Sequence, residues 1–131
     1  MRFDEMKKIR VIKIKPCEFP DVAYIYPTRE AILLSVGGDG IPNDNAKMKK
    51  IDENIYIIYP IILDAFELEY NRRVDNTSIF GTFVVVETDS KGKPKSMSDE
   101  NFKKYVNLFW EPEFVDSDTT AGLYSDFLIH S

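Results

Sequence analysis

Reactive side chains are scarce in this sequence of 131 residues, which has one histidine (His130), one cysteine (Cys17) and one tryptophan (Trp110). A single cysteine excludes a disulfide within the chain and fits a reducing compartment. One histidine and one cysteine cannot assemble a structural zinc site. His130 stands next to the last residue, and Cys17 has no base beside it in sequence, so neither a Ser–His nor a Cys–His pair is expected on a rigid framework. The inventory predicts a protein that is not an enzyme, with no catalytic residue, metal or cofactor. Long apolar runs are also missing. None approaches the ~18 residues of a membrane span. Asp4, Glu5, Lys7 and Lys8 stand where a signal peptide would have its apolar core, so a cytoplasmic protein is expected. Cations are outnumbered, with 17 Lys and Arg against 22 Asp and Glu and a net charge of −5. That balance argues against a partner held mainly through phosphates, without excluding a local basic patch.

What is present is the composition of a folded chain: 44% hydrophobic and 13% aromatic. The length fits a single domain over residues 1–131, with residues 1–8 frayed and 111–131 an acidic, partly packed extension. The organising stretch is Ile79-Phe80-Gly81-Thr82-Phe83-Val84-Val85-Val86, an uncharged run that reads as a strand covered on both faces at the centre of a sheet. Alternation predicts strands over Ile9–Lys15 and Val22–Tyr26, antiparallel across the Pro16–Asp21 turn. Two more are predicted about Ala46–Ile51 and Ile55–Pro60. Thr28 caps a helix over Arg29–Val36 that Gly37-Gly38 stops. Ser98 caps a second, with Phe102, Tyr105, Val106 and Phe109 on one face. Residues 61–78 read equally as a short helix or an irregular packed loop, with a turn at Asp75-Asn76. The expected fold class is α+β: a mixed or antiparallel sheet of about five or six strands with two helices packed on it.

Ile-Lys-Pro at 14–16, Ser-Val-Gly-Gly at 35–38, Asn71-Arg72-Arg73, Gly81-Thr82-Phe83-Val84-Val85-Val86 and the Ser98…Phe102…Tyr105…Phe109 helix occur together in this order. In this set the chain resembles, from about residue 9 to 109, a family of small uncharacterised proteins carried by phages, plasmids and conjugative elements of low-GC bacteria. The acidic tail and the 61–68 stretch depart from it. The resemblance implies no catalytic residue. It implies a role in the contest with a host: blocking a restriction or CRISPR-type defence, or serving replication and transfer.

Among polar clusters, Gly37-Gly38-Asp39-Gly40 follows a helix and lacks the Gly-Lys-Ser/Thr ending of a phosphate loop, so it reads as a helix stop. Asp39, Asn43, Asp44 and Asn45 lack the spacing of a calcium loop and read as solvated turn residues. Asn71, Arg72 and Arg73 are the leading candidate binding residues, because an arginine fork grips carboxylate or phosphate. The competing reading pairs the arginines with Glu67, Glu69 or Asp75 at the surface. Lys13 and Lys15, with Lys7, Lys8 and Arg10, form a basic strand. It either touches nucleic acid beside Tyr24 and Tyr26, or guards a sheet edge against pairing. Asp116 and Asp118 in the tail either imitate DNA phosphates or are simply solvated. Three functions follow: a non-enzymatic inhibitor that binds a host defence protein, a CRISPR effector nuclease foremost; a nucleic-acid-binding accessory of replication or transfer; and a small-ligand or nucleotide binder, for which a deep pocket lined by Arg72 and aromatics would speak. A homodimer through Tyr56, Tyr59 and the tail's aromatics stays open.

Overall fold

Phe83 and Val85 point into one apolar layer, and Val84 and Val86 into a second on the other side of the same strand. In the computed structural model, which describes residues 7–36, 46–61 and 69–113, this strand is the centre of the molecule. The elements in chain order are β1 (Ile9–Ile14), β2 (Asp21–Ile25), α1 (Arg29–Leu34), β3 (Lys47–Asp52), β4 (Ile55–Tyr59), β5 (Tyr70–Val74), β6 (Thr77–Phe80), β7 (Phe83–Thr88), β8 (Pro94–Lys95) and α2 (Asp99–Leu108). The main sheet has the order β2-β1-β7-β4-β3, all antiparallel, with short β8 also on β7; β5 and β6 make a separate hairpin. The α+β class is as expected, and residues 70–80 prove to be a hairpin.

The expected single run at 79–86 is two strands. Gly81, at φ +80°, breaks it, and its N–H donates to the Glu69 carbonyl at 2.7 Å. A left-handed residue inside the run redirects the chain, so Ile79 and Phe80 pair with β5 and only Phe83 onward joins the main sheet. Asp75 and Asn76, both at positive φ, form the two-residue turn of the hairpin, a conformation these residue types tolerate.

Helix α2 and the β5–β6 hairpin cover one face of the sheet. Tyr105, Phe109, Val74 and Ile79 pack there on Ile12, Ile14, Ile57, Phe83 and Val85. Helix α1 covers the other face, with Ile32 against Ile9, Val11, Ile58, Val84 and Val86. Both predicted caps form: Thr28 Oγ1 accepts from Ala31 N–H and Ser98 Oγ from Asn101 N–H, each at 3.2 Å. The α1 stop at Gly37-Gly38 and the Asp39–Asn45 loop lie outside the described residues. Tyr59 is buried in the core, so it is not part of a dimer face.

The start of α2 is tied down by Glu87, the last inward position of β7. Its Oε1 accepts from Ser98 N–H at 3.1 Å and Asn101 Nδ2 at 2.9 Å, and its Oε2 lies 3.0 Å from Lys95 Nζ. A carboxylate here answers the unpaired N–H groups of the first helical turn. Burial pushes the Glu87 pKa up, but the bonds from Asn101, Lys95 and Ser98 outweigh it and hold the group below its ordinary value.

Candidate functional site

Alternation along β5 would put Asn71 and Arg72 on opposite faces. The register shifts between Tyr70 and Arg72, so Tyr70 opposes Phe80, Arg72 opposes Ile79, and Asn71 is the extra residue of a bulge. The result is three successive buried residues, with Asn71 at 0% and Arg72 at 2% exposure. Asn71 Nδ2 donates to the carbonyls of Ile14 (2.9 Å) and Gly81 (2.8 Å), and its Oδ1 accepts from Arg72 Nη1 at 2.7 Å. Arg72 Nη2 donates to the Glu18 carbonyl at 3.0 Å. This network joins the end of β1, the β1–β2 turn, β5 and the Gly81 break. No carboxylate pairs with Arg72 among the described residues, and its Nε finds no acceptor. Burial lowers its pKa from the ordinary arginine value.

Both expectations for Arg72 therefore need correction. It neither grips an outside ligand nor pairs at the surface, because the bulge turns it inward. Arg73 is exposed, and its N–H donates to Glu113 Oε2 at 3.2 Å. Glu113 Oε1 also accepts from Tyr70 Oη at 2.9 Å, which straps the segment after α2 to the hairpin. Burial and this carboxylate together raise the Tyr70 pKa. Among the described residues two clefts adjoin Arg73. One, of about 450 Å³, is lined by Lys49, Arg73, Asp75, Asn76 and Thr77; the other, of about 160 Å³, contains Arg72, Arg73, Phe109 and Glu113. The larger has no aromatic wall, and the smaller falls below the ~300 Å³ usual for a small-molecule site.

The structure does not bring Lys13 to the arginines, and Lys15 lies past the end of β1, at the start of the turn whose Glu18 carbonyl accepts from Arg72. The register places Lys13 on the α1 side with Val11, whereas the hairpin covers the opposite face, so the sheet stands between them. The edge reading is also corrected: β1 is interior, flanked by β2 and β7. The guarded edge is β3, which carries Lys47, Lys49 and Lys50 and a bulge before Asp52. Asp116 and Asp118 lie outside the described residues, as does His130. Cys17 sits in the β1–β2 turn at φ +62°, its thiol 3.7 Å from Glu69 Oε1. Burial and Glu69 raise its pKa, which makes it a poor nucleophile. Among the described residues no group of three or more His, Cys, Asp or Glu is placed to hold a metal, and no helix is long and apolar enough to cross a membrane.

A feature the sequence reading missed is an exposed apolar strip on the α2 side. Phe19 is 54% and Trp110 46% exposed, yet their rings lie against each other at 4.7 Å. Val22 and Tyr24, also exposed, project from neighbouring β2 on the face of Arg10 and Ile12, and Leu108 on α2 is exposed close by in sequence. Single exposed apolar residues are ordinary, but two aromatic rings held together in solvent beside a bare strand form a patch. Comparison of the chain with protein-family models, with curated proteins and with solved structures finds no match.

Proposed function

We propose that this chain is a non-enzymatic interaction protein that works by covering the surface of a partner protein. The observation that carries the reading is the Phe19–Trp110 pair, because aromatic anchors of this kind dominate protein–protein interfaces. The resemblance to proteins of phages and other mobile elements supplies the class of partner: a host defence protein, with a CRISPR effector nuclease the leading candidate. The buried arginine favours this reading over nucleic-acid binding, since Arg72 is withdrawn from any phosphate and Lys13 lies across the sheet from the hairpin that carries Arg73.

Added to purified RNA-guided nucleases, the protein is expected to suppress cleavage of target DNA by one of them. The Phe19→Ala, Trp110→Ala variant is expected to bind that nuclease about 100-fold more weakly, a loss of ~2.8 kcal/mol, while unfolding at the same denaturant concentration. Unimpaired cleavage across the nucleases, together with salt-sensitive retardation of DNA at ~50 mM salt, would overturn the reading in favour of a nucleic-acid accessory.

A further inference from the structure

The two edges of the main sheet are treated differently. Edge β3 has three lysines and a bulge, the usual devices against pairing with another chain. Edge β2 reads Asp21-Val22-Ala23-Tyr24-Ile25, with no cation, no proline, no register shift and one charge at its first position. Nothing among the described residues pairs with its outer side.

The direction of its backbone groups follows from its neighbours. Arg10 N–H donates to Ser96 Oγ, and the Arg10 carbonyl accepts from Met97 N–H, so Arg10 faces away from β2. Alternation then turns Val11 toward β2, and with it Ala23, which opposes Val11. The N–H and C=O groups of Val22 and Tyr24 therefore face outward. Consistent with this, Val22 N–H donates to the carboxylate of its own neighbour, Asp21 Oδ1, at 2.9 Å, and to no other group among the described residues.

From this we propose that β2 pairs antiparallel with β2 of a second copy, about a two-fold axis through Ala23, joining two sheets into one. The strand is self-complementary in that register. Val22 opposes Tyr24 of the partner, so the outward groups of each meet and a β-branched residue lies opposite an aromatic, a favourable cross-strand pair. Asp21 opposes Ile25 of the partner subunit, so no like charges meet. Phe19 lies before the strand begins and Trp110 after α2 ends, so both stay outside the paired residues; the inference is independent of the function proposed for them. One strand a side stays below the ~1,200 Å² of stable interfaces, so the dimer is weak and forms with rising concentration.

The test is sedimentation of the full chain from about 5 to 500 µM, the range in which a weak pair assembles. The weight-average mass is expected to rise from 15.2 kDa toward twice that value. The register is tested by two variants at exposed positions. Val22→Lys with Tyr24→Lys sets lysine against lysine across the axis and is expected to stay monomeric. Val22→Lys with Tyr24→Glu sets lysine against glutamate and is expected to dimerise. A mass that stays at the monomer value, a lysine–lysine variant that dimerises like the natural chain, or a lysine–glutamate variant that does not dimerise would overturn the proposal.

Discussion

Replacing Asn71 with alanine is expected to lower the unfolding free energy by about 3–5 kcal/mol, because each buried polar group left without a partner costs roughly 1–3 kcal/mol. Three such groups are involved: the carbonyls of Ile14 and Gly81, and Arg72 Nη1. Asn71→Leu is expected to cost about as much, since it restores volume but none of the bonds. A urea titration should show the midpoint falling with an unchanged slope. Arg72→Met is expected to cost less, under about 2 kcal/mol, because it also removes a buried cation whose Nε has no acceptor and whose described hydrogen bonds go to neutral oxygens. If the order is reversed, with Arg72→Met the more damaging, then the arginine rather than the asparagine organises the network.

The second large effect is at Glu87. Its pKa in the folded chain lies below the ordinary 4.5. A depressed carboxylate stabilises the fold fully above the ordinary value, and this contribution is lost as pH falls through the lowered one. The protein should therefore lose stability on the acid side of pH 4.5. Glu87→Gln should flatten that acid limb and leave the neutral-to-alkaline region parallel to that of the natural chain. Glu87→Ala leaves Ser98 N–H and Asn101 Nδ2 without their acceptor and is expected to cost about 2–4 kcal/mol at pH 7. Unfolding curves of the three proteins from pH 3 to pH 7 read both effects. An acid limb of equal slope in Glu87→Gln would show that other carboxylates carry it, with Asp52, held low by Lys104 and Tyr105, the first to examine.

Much of the framework is written locally, and so it could be read from the sequence. The uncharged Val84-Val85-Val86 run is the doubly covered centre, Thr28 and Ser98 cap their helices, and Asp75-Asn76 turns the hairpin, because each depends on a few adjacent residues. The site was less legible. Whether Arg72 faces in or out depends on a one-residue bulge, and strand alternation gives no warning of it. Whether Lys13 or Lys47 guards an edge depends on strand order, a property of the whole sheet. Trp110 and Phe19 are far apart in sequence, and only the packing of α2 over the β1–β2 turn brings their rings together. One signal for the bulge was available: an asparagine beside an arginine in a strand bounded by Tyr70 and Val74 is a polar pair that has to find partners if it is buried.

The central claim is that the Asn71–Arg72 pair belongs to the interior and that only Arg73 is offered to solvent. Arginine-selective modification of the native protein, mapped residue by residue by mass spectrometry, tests it most directly. Arg73 is expected to react readily and Arg72 only when the chain is unfolded. Equal reaction of the two under native conditions would contradict the account and return Arg72 to the surface as a binding residue.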